Sequence, residues 1–236
     1  IIGLDNLNHY YDVDLKLARL NILKKNKKKF IFVKIDLANR KKLETLFKNN
    51  KIKYVIHLAA QAGVRYSIFN PDVYYRSNIQ GFQNILDLSK KFKVFHFVFS
   101  SSSSVYGDQN RYPIKENSNT DNPLSFYAAT KKSNEILGFS YSNIYKLPIT
   151  VLRLFTVYGP YGRPDMAPYK FVKAAMSKHR INLHNKGNHF RDFTYIDDVA
   201  ETIVKVIKKK PRKHFQIYNV CSSNIVSLKY FVKLIE

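Results

Sequence analysis

The chain has 236 residues, 45% of them hydrophobic and 14% aromatic, so it can bury a large core and is not a disordered chain. Forty Lys and Arg residues against 17 Asp and Glu residues give a formal net charge of +23, which excludes an acidic disordered protein. The single cysteine, Cys221, excludes an intramolecular disulfide and a cysteine-rich zinc site, and it favours a reducing compartment. No apolar run is long enough to predict a membrane-spanning helix.

Apolar runs alternate with helical patterns along the first two thirds of the chain. In chain order the sequence predicts strand 1–4, helix 14–25, strand 30–35, helix 40–49, strand 54–58, helix 72–92, strand 94–99, helix 125–145 and strand 150–155. The continuous apolar strand 54–58 is expected to be buried on both faces. Strands that alternate with helices indicate βαβ units, and hence an α/β fold with a doubly wound parallel sheet.

The high positive charge could indicate a nucleic-acid-binding surface, so a non-enzymatic basic module is the alternative of a different class. The basic residues are mainly lysine and are spread along the chain, whereas recognition of phosphates and bases relies more on the planar fork of Arg. We therefore interpret the charge mainly as a feature of composition, and we expect no nucleic-acid partner.

Small and polar residues follow the predicted strands at their carboxyl ends, where ligands bind in a doubly wound sheet. An acidic residue at such a position typically binds the ribose of a dinucleotide, about 20 residues beyond a glycine-rich turn. No G-x-G-x-x-G pattern occurs among the eight glycines, so we expect that turn to lie outside these residues. The strand-end residues are Asp5 and Asn6, Asp36 and Leu37, residues 59–63, and the serine run 100–104.

Tyr127 and Lys131 lie four residues apart in the predicted helix 125–145, so their side chains share one helix face. A Lys ammonium beside a phenol favours the phenolate and would lower the pKa of Tyr127 from about 10. Such a tyrosine can act as a general base toward a hydroxyl group. This spacing also arises from ordinary helix packing, but the serine run about 25 residues upstream favours a catalytic site.

The serine run followed by Val105-Tyr106-Gly107, together with Tyr127-x-x-x-Lys131, resembles the extended short-chain dehydrogenase/reductase family of NAD-dependent nucleotide-sugar epimerases and dehydratases. The resemblance covers nearly the whole chain through further matching segments. It implies NAD as the cofactor and a Rossmann-like fold whose first strand is missing from these residues. The matching segments are 58–65, 78–81, 153–160, 162–166 and 191–198.

The resemblance implies roles for individual residues. Tyr127 would exchange a proton with the C4 hydroxyl of a sugar, Ser102 would hydrogen-bond the same oxygen, and Lys131 would bind the nicotinamide ribose and tune Tyr127. The positions that match the cofactor site are Asp5, Asn6, Asp36, Leu37, Leu58, Ala59, Ala60, Gln61, Asn78, Ser100, Tyr127, Lys131 and Phe155. The positions that match the substrate site are Ser102, Ser103, Ser104, Thr156, Arg163, Leu183, His184 and Arg191.

The residues after the matched serine favour one reaction within the family. Dehydratases carry acidic residues there, and the hydroxyls of Ser103 and Ser104 cannot take the protons that an elimination requires. Hydroxyl groups and the Arg163 fork can instead hold a substrate carboxylate. The resemblance therefore implies NAD-dependent 4-epimerisation of UDP-glucuronate to UDP-galacturonate through a 4-keto intermediate. The alternative is another nucleotide-sugar 4-epimerase or dehydratase of the family, of the UDP-glucose/UDP-galactose type.

We assign residues 1–155 to an NAD-binding domain and residues 156–236 mainly to a small substrate lobe, with segments that return to the first domain and with both ends of the chain truncated. We expect a UDP-sugar as the substrate, a homodimer formed through helices 72–92 and 125–145, and a cytoplasmic location unless the missing N-terminus carries an anchor. The histidines have no metal-ligand spacing, so no metal is expected. Without the glycine-rich turn, these 236 residues alone are expected to bind NAD poorly and to be inactive.

Overall fold

The computed structural model describes residues 1–25, 29–109, 112–181, 183–209, 211 and 213–236, without the side chains of residues 184 and 185. Its strands are β1 (Ile2–Asp5), β2 (Ile31–Lys34), β3 (Tyr54–His57), β4 (His96–Ser102), β5 (Ile149–Leu154), β6 (Thr156–Tyr158), β7 (Phe190–Tyr195), β8 (Phe215–Val220) and β9 (Ile225–Ser227). A parallel sheet with the order β3–β4–β5–β8 occupies the centre, and β1 and β2 form a second parallel pair. The predicted α/β fold with parallel strands is confirmed.

Helices follow the strands in the predicted alternation. Several begin at a side chain that caps the first turn, as Asn39 does by accepting a hydrogen bond from Lys42 N (3.1 Å) and Ser125 by accepting one from Ala128 N (3.1 Å). The helices are α1 (Val13–Lys24), α2 (Arg40–Asn49), α3 (Tyr66–Phe69), α4 (Pro71–Tyr74), α5 (Gly81–Lys91), α6 (Phe126–Tyr145), α7 (Ala167–Met176), α8 (Ile196–Lys208) and α9 (Leu228–Ile235).

The predicted helix 72–92 is one helical stretch with an irregular centre. A π-helical segment, Tyr75–Gln80, joins α4 to α5 without a break. Segments of this kind occur often at functional sites, because the wider turn redirects the side chains that it carries. Here the segment carries the buried residue Asn78.

Apolar side chains cover both faces of the central sheet. On one face, Phe97, Phe99 and Ile149 pack with Leu43 of α2 and Phe82 of α5, and all five are fully buried. On the other face, Val98 and Leu152 pack with side chains of α8. Burial of each such side chain contributes about 1.5–3 kcal/mol, so the core fixes the strands whose carboxyl ends form the site.

The expectation that strand 54–58 is buried on both faces is wrong. Val55 and His57 face the core, whereas Tyr54 is 48% exposed and Ile56 is 43% exposed. Strand β3 pairs with β4 along one edge, and in the part of the chain that the structure describes no second strand pairs with it. An apolar run shows that a strand is suited to burial, but each face is covered only where a helix packs over it, and α8 packs over Val98 of β4 rather than over Tyr54 and Ile56.

The last third of the chain belongs to two regions. Strands β6, β7 and β9 form a small sheet, with β6 parallel and β9 antiparallel to β7. Strand β8 returns to the central sheet beside β5, and Val199 and Ile203 of α8 pack against Val98 and Leu152. Among the described residues, none of the helices is both long and apolar enough to cross a membrane.

Candidate active site

A cleft of about 830 Å³ lies at the carboxyl ends of the parallel strands. The residues that follow β1, β2, β3, β4 and β5 line this cleft, as expected for a doubly wound fold. Most of the residues that the sequence assigns to a site line its wall. They are Asp5, Asn6, Asp36, Leu37, Leu58, Ala59, Ala60, Gln61, Ser100, Ser102, Ser103, Ser104, Tyr127, Lys131, Phe155, Thr156 and Arg163.

Asn78 lies behind this wall. Its Oδ1 accepts a hydrogen bond from Gln61 N (2.7 Å), and its Nδ2 donates to Gln61 O (3.0 Å) and to Thr130 Oγ1 (3.0 Å). Asn78 is 1% exposed, so its amide holds both backbone groups of Gln61 from the protein interior. The residue that the sequence assigns to the cofactor site therefore fixes the backbone that faces the cleft.

The remaining predicted substrate residues are not part of the described cleft wall. Leu183 is half-buried next to the turn His184–Gly187, and the side chain of His184 lies outside the described part of the chain. Arg191 is exposed on β7, where its Nη1 donates to Phe190 O (2.7 Å). Their roles toward a substrate stay predictions.

The three predicted catalytic residues meet where β4 ends and α6 begins. Ser102 is the last residue of β4, Tyr127 lies in the first turn of α6, and Lys131 follows one turn later on the same face. The Nζ of Lys131 donates to Ser100 O (2.8 Å), which ties α6 to the strand end. Ser104 N donates to the Oγ of Ser102 (3.1 Å), which fixes the start of the serine turn.

The ionisation of Tyr127 differs from the sequence-based expectation. Burial raises the pKa of Tyr127 above its ordinary value, and a hydrogen bond with Ser102 and the charge of Arg163 offset only part of this effect. Burial lowers the pKa of Lys131 to about 8, although the negative charge of Glu135 raises this pKa and offsets part of the shift. Tyr127 is therefore a phenol at neutral pH in the protein alone, and the tuning of Tyr127 by Lys131 stays a prediction.

A buried ion pair lies behind the predicted catalytic residues. Arg153 of β5 binds Glu135 of α6 through Nε–Oε1 (2.9 Å) and Nη2–Oε2 (2.7 Å), and their side chains are 3% and 4% exposed. Ser101 donates to the same Oε1 (2.6 Å), and Arg153 Nη1 donates to the hydroxyl of Tyr106 (2.9 Å). The pair therefore joins α6, β4 and β5 directly beneath the site.

Asp165 and Tyr10 also line the cleft, although the sequence patterns did not assign either of them to the site. Asp165 accepts two hydrogen bonds from Arg163, at 2.9 Å each, and one from the hydroxyl of Tyr10 (3.0 Å). Asp165 lies inside the matched segment 162–166, and its two-residue spacing from Arg163 was a signal for an ion pair. Tyr10 lies 155 residues from Asp165 in the sequence, and no local pattern connects the two.

The strand ends offer the groups that a dinucleotide needs. The small side chains of Ala59 and Ala60 leave the backbone after β3 open to a flat ligand, and the carboxylates of Asp5 and Asp36 stand at the ends of β1 and β2. Lys131 adds a buried ammonium at the end of β4. Among the described residues, no three His, Cys, Asp or Glu side chains are grouped so as to hold a metal ion.

A sequence profile of the NAD-dependent epimerase/dehydratase family matches residues 2–221. The chain belongs to this family. NAD is accordingly the cofactor of the enzyme, as the sequence analysis predicts, and the cleft residues fit it.

Individual relatives and solved structures are consistent with this assignment. Protein CapI of Staphylococcus aureus is 46% identical over an alignment of 252 positions, which covers 100% of this chain and 75% of CapI. A UDP-glucuronate 4-epimerase of Thermodesulfobacterium geofontis is 45% identical, with 100% of this chain and 72% of the relative covered. The crystal structure of a Bacillus cereus UDP-glucuronic acid 4-epimerase with UDP-glucuronic acid and NAD superimposes with a TM-score of 0.93 at 33% identity, over 100% of this chain and 73% of that one.

Proposed function

We propose that this enzyme catalyses the NAD-dependent 4-epimerisation of UDP-glucuronate to UDP-galacturonate through a 4-keto intermediate. The observation that carries the proposal is one cleft whose wall includes Ser102, Tyr127 and Arg163. The first two suit chemistry at a sugar hydroxyl, and the third suits a carboxylate. The names of the relatives from Thermodesulfobacterium geofontis and Bacillus cereus support the same substrate.

The proposed cofactor residues fall into groups by strand. NAD, when bound, supplies the oxidising and reducing chemistry at C4 of the sugar. Asp5 and Asn6 would bind the adenosine ribose, and Lys131 would bind the nicotinamide ribose. The other wall residues proposed to hold NAD are Asp36, Leu37, Leu58, Ala59, Ala60, Gln61, Ser100 and Phe155, with Asn78 behind them.

Tyr127 and Ser102 would handle the proton of the C4 hydroxyl. Tyr127 would take the proton as the hydroxyl is oxidised to a carbonyl. After the keto sugar turns about its diphosphate, hydrogen would be added back to the other face of C4 and Tyr127 would return the proton to the carbonyl oxygen. Ser102 hydrogen-bonds the same oxygen and so aligns it with the phenol oxygen. Because burial raises the pKa of Tyr127 in the protein alone, the phenolate would have to gain support from positive charge at the loaded site.

The substrate carboxylate would be held on the Arg163 side of the cleft. Ser103, Ser104 and Thr156 line the same cleft and can donate hydroxyl hydrogen bonds. Arg191 would bind the diphosphate, and Leu183 and His184 would line the uracil.

The residues near the serine turn also favour the proposed epimerisation over a dehydration. Among the carboxylates on the described wall, Asp165 is bound by Arg163. Burial raises the pKa of Asp165, but the hydrogen bonds and charge of Arg163, together with the hydrogen bond from Tyr10, outweigh burial and keep this pKa below its ordinary value. Asp165 is therefore ionised at neutral pH and has no proton to donate, so it does not replace the acidic residues that a dehydratase carries after the serine. A 4-epimerase for a neutral UDP-sugar is the second candidate.

The oligomeric state, the roles of the two domains and the cellular location are also proposals. We propose a homodimer through α5 and α6, because α6 exposes Ile136, Phe139 and Ile144 by 58%, 57% and 61%. We also propose that residues 1–155 bind mainly NAD, that residues 156–236 bind mainly the sugar nucleotide, and that the enzyme acts in the cytoplasm. Light scattering of the purified protein tests the dimer, and a monomer would refute it.

Turnover of UDP-glucuronate and UDP-glucose tests the proposed function. The full-length chain, including any residues outside these 236, is incubated with NAD and either sugar, and products are identified by proton NMR. We expect UDP-galacturonate, with UDP-glucose converted at least about 100-fold more slowly. Faster conversion of UDP-glucose would identify a neutral-sugar epimerase, and a 4-keto-6-deoxy product would identify a dehydratase. Steeply salt-dependent nucleic-acid binding with no turnover would favour the basic binding module.

A further inference from the structure

Neighbouring side chains of the same chain hold the guanidinium group of Arg163. Its Nε donates to Asp165 Oδ1 and its Nη2 to Asp165 Oδ2, both at 2.9 Å, so the carboxylate engages one edge of the guanidinium in a two-pronged contact. Nη2 also lies 3.5 Å from the sulfur of Met166. The side chains of Arg163 and Asp165 are 30% and 27% exposed, so both remain at the cleft surface.

Tyr10, in the segment between β1 and α1, contacts the pair formed by Arg163 and Asp165. Its hydroxyl donates to Asp165 Oδ2 (3.0 Å), and its ring packs at 4.9 Å from the ring of Tyr66. A Cβ atom at Gly63 would lie 2.3 Å from the Tyr10 oxygen, so the glycine makes room for this side chain. Burial, reinforced by the charge of Asp165, raises the pKa of Tyr10 to about 12, so the hydroxyl remains a donor at any working pH.

A second contact ties the same two segments together. Arg19 of α1 donates through Nη2 to the carbonyl oxygens of Tyr161 (2.5 Å) and Gly162 (3.2 Å), directly before Arg163. Its Nη1 donates to the hydroxyl of Tyr11 (2.7 Å). The segment after β1, at the cofactor side, thus supports the loop that carries Arg163 at two points.

We propose that Asp165 and Tyr10 are positioning residues that present Arg163 to a carboxylate on the substrate, an inference that rests on the proposed function. Asp165 uses the Nε–Nη2 edge, so the Nη1 end of the guanidinium meets the ligand. The pair is neutral overall, so a neutral sugar gains little from it, whereas a carboxylate gains directed hydrogen bonds from an arginine that is already oriented. The two residues would therefore contribute to the preference for an acidic sugar.

The proposal is tested by calorimetric binding of UDP-glucuronate, UDP-glucose and UDP to the full-length chain with NAD. Asp165→Asn keeps the shape but places an amide donor against the guanidinium, and Tyr10→Phe removes one hydroxyl. We expect the Kd for UDP-glucuronate to rise about tenfold and about threefold respectively, with Kd for UDP changed less than about twofold. Asp165→Glu should restore part of the affinity, and Tyr66→Phe, which keeps the ring against Tyr10, is the matched control.

The outcomes distinguish a failure of the positioning role from a failure of the proposed function. If the unmodified protein prefers UDP-glucuronate but the variants bind it as the unmodified protein does, or lose UDP to the same extent, the positioning role is refuted and the proposed function stands. If the unmodified protein binds UDP-glucose as tightly as UDP-glucuronate, the carboxylate preference itself fails, and both proposals are refuted. Retained UDP binding shows that each variant is folded.

Discussion

The buried pair of Glu135 and Arg153 gives a prediction whose size follows from the structure. Glu135→Gln removes the only negative charge of the pair and leaves Arg153, 3% exposed, without its counterion. Nε and Nη2 of Arg153 and the hydroxyl of Ser101 all donate to this carboxylate. Breaking one side of a buried pair costs about 3–5 kcal/mol, which is a large part of the stability of an ordinary domain.

Urea unfolding followed by circular dichroism measures this cost. We expect Glu135→Gln and Arg153→Met each to lower the free energy of unfolding by about 3–5 kcal/mol, and the double variant Glu135→Gln/Arg153→Met to regain most of the loss, because no charge is then left unpaired. The exposed pair Glu201 and Lys205 is the matched control, and its removal should change nothing measurable. Losses below about 1 kcal/mol for the single variants, or a double variant that loses the sum, would refute the reasoning.

Two further predictions concern the site and the core. Tyr127→Phe should lower turnover about 10²–10⁴-fold without changing the unfolding midpoint, because it removes the proton carrier and keeps the ring; turnover within tenfold of the unmodified protein would contradict this role. Burial lowers the pKa of His57 to about 3, so its neutral form stabilises the fold fully above about pH 6.5, and this stability is lost as the pH falls toward 3. Between pH 7 and pH 5 the unmodified protein should lose about 2 kcal/mol more than His57→Leu, and parallel pH profiles of the two free energies of unfolding would contradict the assignment.

Local patterns were sufficient to predict the elements that are determined by their own residues. The sequence predicts helix 40–49, and the structure has α2 over Arg40–Asn49, because a capping Asn39 and an amphipathic pattern define both ends. The strand ends and the Tyr-x-x-x-Lys spacing likewise located most of the cleft wall. These features depend on contacts within one or two turns of chain.

Features that depend on distant neighbours could not be predicted in the same way. The exposed face of β3 reflects which helices pack over it, and the raised pKa of Tyr127 reflects burial by the folded cleft. Tyr10 and Asp165 meet across 155 residues, so neither suggests the other in the sequence. Ser101 and Asn78 similarly gain their roles only through partners on other elements.

The central claim is that hydrogen leaves C4 of UDP-glucuronate and returns to the same carbon. It is tested most directly with UDP-glucuronate that carries deuterium at C4, incubated with the full-length chain and NAD in ordinary water. The account predicts UDP-galacturonate with deuterium retained at C4 and no release of carbon dioxide. Loss of the label to water, or a decarboxylated UDP-pentose as the main product, would contradict it.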